Sequence, residues 1–452
     1  MPDIENVRQL LRSKQYIACE HAAKALLRHD DTQFEVWYIL AECLKHHLQF
    51  APALSAALKV LNHAPNQVYP TVVAIECCIQ LGLASVAAPY VRQLQLAHTP
   101  NEQGRHAEYF FSLGLHDEAW AHLRQAQHDF PDDEFLTHVQ GMFEMCAGDT
   151  VAGMAHYQSF VSRRFHEQYR GSMQNAGWDF AKLWQGEDVA GKTILIIPHG
   201  GVGDYLQFIR YAQHLKQLGA VRVLAHLPNP RFKGLIASAQ GVDAVIDHPS
   251  EHAFDYWTDP FGLCVYMQPQ VGFAASHSYL QIPDSDFAQT LLPQIRERAA
   301  GRRCIALSWY SDAGSETRSV ALAHLLPLFG LSNVHWVIVQ RGYALDELRT
   351  TGLAEQCSVV SEDATFDDTA AIVAGLDGVV TIESYMLHLA GAIGKPVYFM
   401  AGRTLDWRHM NEETRSVWYP TVRLMRQPTM GDWRAVVDEL VAHFKNEDLD
   451  AR

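Results

Sequence analysis

The sequence predicts a mixed α and α/β protein, with an all-helical repeat array followed by two α/β domains that each hold a parallel sheet. Three observations support this fold class. Prolines recur in a helical context at Pro65, Pro100 and Pro131. From residue 193 onward, short apolar runs alternate with helical segments. The first of these runs leads into a glycine-rich loop and a helix, and 452 residues suffice for two or three such domains.

Composition excludes several classes of function. The formal net charge of −15 argues against a general nucleic-acid binder, because neutralising phosphates needs a basic face. No apolar run reaches the length of about 18 residues that a membrane span requires. The first residues, M-P-D-I-E-N-V-R, lack the basic-then-apolar order of an export signal, so we expect a cytoplasmic protein. The eight cysteines form no C-x-x-C, and the 24 histidines form no ligand grouping, so neither a metal site nor a disulfide framework is expected.

The N-terminal residues 1–160 carry the pattern of tetratricopeptide repeats. Trp37, Ala41 and Pro65 occupy the large, small and helix-ending positions of one repeat. The intervals from Pro65 to Pro100 and on to Pro131 are 35 and 31 residues, close to the usual period of about 34. Such arrays commonly present a concave surface to a protein or peptide. The alternative, which the sequence leaves open, is that the array braces the next domain or forms a homodimer.

The remaining chain divides into a connecting segment at 161–190, a first α/β domain at 191–290, a second at 300–432, and a C-terminal helix and tail at 433–452. Apolar runs separated by helical segments are typical of β-α-β units. The runs that predict strands are 193–198, 221–225, 244–247 and 263–267 in the first domain, and 305–309, 334–340, 358–360, 378–382 and 397–400 in the second. The polar stretch 284–303 is interpreted as the linker between the two domains.

The loop after the first strand is the strongest local signal for a ligand. Gly200, Gly201 and Gly203 precede a helix, a layout that directs unpaired backbone N–H groups at an anion. Asp204 follows at once, although a carboxylate repels a phosphate. It is therefore either a cap of the helix or a base beside the phosphate.

A collinear series of motifs extends this signal through the second half of the chain. The motifs are G-D-x-x-Q-F-x-R-Y at 203–211, R-S at 318–319, V-Q-R-G at 339–342, F-D-D-T-A-A-I-V-A-G-L-D at 366–377, H-L-A-G-A-I-G-K-P-V at 388–397, D-W-R at 406–408 and W-Y-P…G-D-W at 418–433. On these residues the chain resembles the bacterial tetratricopeptide-containing glycosyltransferases related to the heptosyltransferases (glycosyltransferase family 9). The resemblance implies a GT-B fold, which is a pair of Rossmann-like doubly wound domains with a cleft between them.

The resemblance also implies roles for individual residues. Asp204 takes the position of the catalytic base, and His388 lies in the run I-E-S-Y-M-L-H that would stabilise the leaving diphosphate. The residues implied on the nucleotide-sugar side are Gly201, Gly203, Ser311, Arg318, Gln340, Glu383, Ser384, Tyr385 and Met386. Gln207 and Arg210 are assigned to the acceptor side. Neither a metal nor a cofactor is implied, because an arginine can neutralise the leaving group.

Three residues depart from the family pattern. Glu383 stands where an aspartate is usual, and Tyr385 and Met386 replace small residues, which would narrow the donor pocket. The sequence thus predicts a metal-independent glycosyltransferase that moves a sugar from a nucleotide-diphosphate donor to a protein hydroxyl recruited by the repeats. The alternative is a catalytically inactive relative that acts as a protein-binding scaffold. Transfer to a lipid or polysaccharide is a third alternative, disfavoured by the lack of a basic amphipathic helix.

Overall fold

The structure is a computed structural model that describes residues 3–160, 178–227, 230–273, 278–311, 318–403, 407–410 and 414–450. Most of the expected connecting segment 161–190, and Asp406 of the D-W-R motif, lie outside the described residues. Within the described ranges, no helix combines the length and the apolar character that crossing a membrane requires.

Helices alone build the described part of the first 160 residues. They are α1 Ile4–Arg12, α2 Tyr16–His29, α3 Phe34–His46, α4 Phe50–His63, α5 Val68–Gln80, α6 Ala84–Gln93, α7 Pro100–Ser112, α8 His116–Asp129, α9 Glu134–Cys146 and α10 Thr150–Phe160. The residue that turns the chain between the two helices of each pair has a positive φ. This residue is Lys14, Leu48, Gly82, Gly114 and Gly148 in successive pairs, so the repeat persists through five helical hairpins.

The first parallel sheet has the order β3-β2-β1-β4. Its strands are β1 Thr193–Ile196, β2 Arg222–His226, β3 Ala244–Ile246 and β4 Tyr256–Thr258, and its helices are α11 Val202–Phe208, α12 Ala212–Gln217, α13 Lys233–Ala237 and α14 Pro260–Val271. The prediction of a strand at 263–267 is wrong, because this run belongs to α14. Asp259 caps that helix by accepting a 2.7 Å hydrogen bond from the Gly262 N–H. A short apolar run in which every residue but the partly buried Tyr266 is buried has no periodicity that separates strand from helix.

The second parallel sheet has the order β10-β9-β8-β5-β6-β7. Its strands are β5 Arg303–Leu307, β6 Val334–Ile338, β7 Ser358–Val359, β8 Gly378–Thr381, β9 Val397–Ala401 and β10 Val422–Arg426. The helices are α15 Asp286–Ala299, α16 Leu322–Leu325, α17 Tyr343–Thr350, α18 Phe366–Ala374, α19 Tyr385–Ala392 and α20 Trp433–Asp450. The expected linker 284–303 is mostly α15, which Ser285 caps. The predicted fold class, α followed by α/β, is confirmed.

The repeat array is docked against both α/β domains. In the first, α10 packs on α14. In the second, Gly82 touches the segment before α20 so closely that an added Cβ would lie 2.1 Å from the Met430 carbonyl oxygen. An added Cβ at Gly431 would lie 2.3 Å from the Gly82 nitrogen. Two glycines in direct backbone contact leave no room for a side chain on either surface.

Candidate active site

A cleft of about 340 Å³ lies where the two α/β domains meet. Its walls come from the residues after β1, β5, β6 and β8, so it sits at the carboxyl ends of parallel strands, where ligands of such sheets bind. Ten residues predicted from the sequence line it, namely Gly201, Gly203, Asp204, Ser311, Arg318, Gln340, Glu383, Ser384, Tyr385 and His388. Its volume lies at the lower end of the usual range for ligand pockets, about 300–1,000 Å³.

Asp204 is held in place by two hydrogen bonds. One carboxylate oxygen accepts from the Gly201 N–H at 2.8 Å, which caps the start of α11. The other accepts from the Arg408 guanidinium at 2.8 Å, across the domain boundary. Both sequence interpretations of Asp204 therefore remain compatible with its position, since it caps the helix and also lines the cleft. Arg408 was not predicted as a site residue, although it belongs to the D-W-R motif.

Gly203 allows the two domains to touch beside Asp204. A Cβ added there would lie 3.0 Å from the His388 ring and 3.4 Å from the Tyr385 Cα. The backbone of Gly203 has no positive φ, so close approach, not conformation, requires a glycine at this position. The glycine loop therefore covers part of the start of α19, which narrows the space for a phosphate there.

Glu383 connects Arg318 and His388 on the opposite wall. One carboxylate oxygen accepts from the Arg318 guanidinium, and the other lies 3.3 Å from the His388 Nε2. Burial opposes ionisation of Glu383, but the hydrogen bond from His388 and the charges of His388, Arg408 and Arg318 hold its pKa well below the usual value. The wall thus presents an ionised carboxylate between the Arg318 guanidinium and the His388 imidazole.

The two large residues after Ser384 point to different places. Ser384 caps α19, accepting a 3.3 Å hydrogen bond from the Met386 N–H. Tyr385 lines the cleft and packs edge-on against Phe366, with ring centroids 5.0 Å apart. Met386 is fully buried and does not line the cleft. Of the two departures expected to narrow the donor pocket, only Tyr385 is placed to do so.

Gln340 and Arg341 follow β6 and shape the far end of the cleft. The Gln340 side-chain oxygen accepts 3.0 Å hydrogen bonds from the backbone N–H groups of Trp309 and Tyr310, so it fixes the loop after β5. Arg341, which the site prediction omitted, also lines the cleft and donates at 2.6 Å to the Ala364 carbonyl. Its signal in the sequence was its place in the V-Q-R-G motif.

Gln207 and Arg210 do not reach the cleft, which corrects their assignment to the acceptor side. Both are buried, with 0% and 1% of their surface exposed. Arg210 donates at 2.7 Å to the carbonyl of Gln207 and at 2.7 Å to that of Trp418. Because α11 leads directly into the domain interior, the residues that follow Asp204 are carried away from the cleft. Arg210 joins the two domains from inside.

Among the described residues, no group of three or more His, Cys, Asp or Glu side chains lies close enough together to hold an ion.

No protein-family model matches the chain. A curated relative, the protein FlbA of Caulobacter vibrioides, is 24% identical over 291 residues; the match covers 58% of this chain and 48% of FlbA. The chain thus spans about half the length of that relative.

Solved structures similar to the chain divide into two kinds. One is the glycosyl transferase family 9 protein of Veillonella parvula, with 11% identity, 60% of this chain and 100% of that chain covered, and a TM-score of 0.43. Another is the tetratricopeptide protein TTC0263 of Thermus thermophilus, with 16% identity, 38% and 96% covered, and a TM-score of 0.30.

Proposed function

We propose that the chain is a glycosyltransferase that moves a sugar from a nucleotide-diphosphate donor to a hydroxyl group. One observation carries the proposal: Asp204 and the Arg318–Glu383–His388 group line a single cleft at the carboxyl ends of strands from both α/β domains. A carboxylate on one wall and cationic groups on the other suit a reaction that removes a proton and releases a diphosphate.

The proposed step assigns each wall one task. Asp204 takes the proton of the acceptor hydroxyl while the acceptor oxygen bonds to the anomeric carbon of the donor. The bond between that carbon and the diphosphate oxygen breaks, and the diphosphate leaves with the electron pair. Arg318 and His388 stabilise the negative charge of the leaving diphosphate, and Arg341 lines the same cleft. In the proposal the arginines supply the positive charge that stabilises the diphosphate, so that no metal is needed.

A binding or scaffold protein without turnover is the second candidate, and one observation favours it. The Glu383 carboxylate already forms an ion pair with the Arg318 guanidinium, and Gly203 covers the start of α19. A donor diphosphate must displace that ion pair, whereas a scaffold needs no such exchange.

Nucleotide binding and donor turnover separate the two candidates. We expect one member of a panel of nucleoside diphosphates and their sugars to raise the melting temperature of the full chain, and that sugar donor to be turned over. Mass spectrometry of co-expressed proteins should then show an added hexose or heptose. Binding without turnover of any donor in the panel would favour the scaffold, and absence of binding would contradict the transferase.

A further inference from the structure

A second pocket lies between the repeat array and the second α/β domain. Its volume is about 510 Å³. One side is built by the first helical hairpin of the array and the end of α3, and the other by Tyr310 and Tyr343. Tyr310 also lines the catalytic cleft, so the two spaces share a wall. We call this space the ring pocket.

Five aromatic rings form a continuous row along the ring pocket. Tyr16 stacks on His46 with centroids 3.8 Å apart, and His46 lies 5.8 Å from His47. His47 stacks on Tyr343 at 5.2 Å, and Tyr343 lies 6.1 Å from Tyr310. The row begins on the first repeat and ends at the rim of the cleft. An extended peptide advances about 3.3 Å per residue, so the four centroid distances correspond to at most about six residues.

The charge of the ring pocket differs from that of the whole chain. Its described lining holds one lysine, three histidines and no carboxylate, whereas the chain as a whole carries a formal net charge of −15. Lys14 forms no ion pair within the described part of the chain. Two carboxylates act on the lining from outside it. Glu20 is 2.7 Å from the His47 Nδ1 and is also paired with Lys24, and the charge of Glu347 raises the pKa of Tyr343 after the larger effect of burial. The pocket is therefore complementary to a neutral or acidic ligand.

We propose that the ring pocket binds an extended, acidic segment of the acceptor polypeptide and delivers a serine or threonine beside it to the cleft past Tyr310. The rings of two pairs in the row stack face to face, which leaves their electropositive edges to attract an anionic segment, and Lys14 attracts its carboxylates. This inference rests on the proposed transfer function and adds the class of acceptor. The repeat array then recruits substrate through one defined pocket at its N-terminal end.

The test uses two libraries of fluorescein-labelled dodecapeptides with one fixed serine or threonine. In the acidic library the varied positions are Asp, Glu and aromatic residues, and in the basic library Lys and Arg replace the acids. Fluorescence anisotropy with the full chain should show binding of the acidic library and not of the basic one. Absence of binding by the acidic library, or equal binding of both, would overturn the proposal.

Two variants and two matched controls locate the binding. Lys14→Glu reverses the charge of the pocket, and Ile17→Asp changes a side chain that is 54% exposed in its lining. Each should weaken binding of the acidic library about tenfold or more. Lys445→Glu and Val151→Asp make the same chemical changes at exposed positions outside the pocket and should have no effect. Equal loss in all four variants, or in none, would place the peptide elsewhere.

The thermal shift caused by a nucleoside diphosphate is measured on the same preparations. A normal shift with lost peptide binding supports the ring pocket as an acceptor site. A shift lost together with peptide binding in Lys14→Glu and Ile17→Asp would instead assign the pocket to the donor. If the wild-type chain binds acidic peptides but turns over no donor, the proposed transfer fails while the peptide site stands.

Discussion

Two arginines lie at opposite ends of one hydrogen-bonded chain between the α/β domains, and they have different partners. From the cleft inward the chain consists of Arg318, Glu383, His388, Tyr419, Tyr279 and Arg210. Arg318 at the outer end pairs with a carboxylate. Arg210 at the inner end contacts backbone carbonyls, a phenol and the faces of Tyr279, Trp418 and Tyr419.

The partners of the two arginines determine what each end of the hydrogen-bonded chain can do. An ion pair at a cleft can exchange its anion, because a diphosphate offers the guanidinium the same kind of partner as a carboxylate. A buried arginine held by carbonyl groups and ring faces has no anion to exchange. Its N–H groups donate to backbone carbonyls of both domains and thereby fix the orientation of one domain relative to the other. The outer end therefore suits chemistry and the inner end suits stability, and the following predictions test that division.

The largest expected effect is on transfer by Asp204→Asn. An amide cannot take the acceptor proton, so kcat should fall about 10²–10⁴-fold, while the nucleotide-induced thermal shift persists. The matched control is Asp368→Asn. Asp368 caps α18 in the same manner, accepting from the Thr365 N–H at 2.9 Å, but it does not line the cleft. Both variants should lose similar stability, and only the first should lose transfer. Normal turnover by Asp204→Asn would exclude its role as base.

Arg210→Met should cause the largest loss of stability. The variant removes the buried hydrogen bonds to the Trp418 and Gln207 carbonyls, and Gln207 keeps only the 3.4 Å contact from the Tyr279 hydroxyl. This loss costs about 3 kcal/mol in the free energy of unfolding. Thermal unfolding followed by tryptophan fluorescence measures the change. Arg210→Lys keeps the charge but cannot donate in several directions, so an intermediate loss is expected. A melting temperature unchanged in both variants would contradict the stabilising role of the inner end.

Arg408→Met tests whether orientation of Asp204 matters. The Asp204 carboxylate would keep its bond to Gly201 and lose the one to Arg408, so we expect kcat to fall about tenfold with little change in the KM for the donor. Arg423→Met is the control, because Arg423 forms an exposed pair with Glu439 far from the cleft. A change confined to the KM for the donor would show that Arg408 binds the nucleotide instead.

The sequence indicated more of the residues that line the cleft than of the contacts that hold them in place. Residues that follow parallel strands gather at one edge of their sheet, and two such domains in tandem were expected to face each other across a cleft. The motifs after β1 and β8, which lie in different sheets, therefore already indicated that Asp204 and His388 share a site. The contact between Asp204 and Arg408 joins residues about 200 positions apart, and local pattern carries no trace of it. The burial of Arg210 was hidden for a different reason. Its partners are carbonyl groups and rings, which leave no charge pattern in the sequence.

The secondary-structure elements show the same contrast between what a local sequence pattern reveals and what tertiary packing decides. The repeat array was predicted from its period and the sheets from their apolar runs, and the sheets lie within the ranges expected for the two domains. The boundaries themselves stay a prediction. The run at 263–267 was misassigned because burial of all its residues except the partly buried Tyr266 removes the alternation that distinguishes a strand.

The smallest expected effect is a pH dependence set by Glu383. Its pKa in the folded protein is below the value of about 4.3 in an unfolded chain, so the unfolded state takes up the proton first as the pH falls. The stability contributed by the ionised group is present above about pH 4.3 and is lost as the pH falls toward its folded pKa. Glu383→Gln should remove on the order of 1 kcal/mol of this acid-dependent loss, measured as a shallower fall in melting temperature between pH 6 and pH 3. Glu439→Gln, which breaks an exposed ion pair, should keep the wild-type slope. A slope identical in all three proteins would mean that Glu383 is not the ionised centre of the outer end.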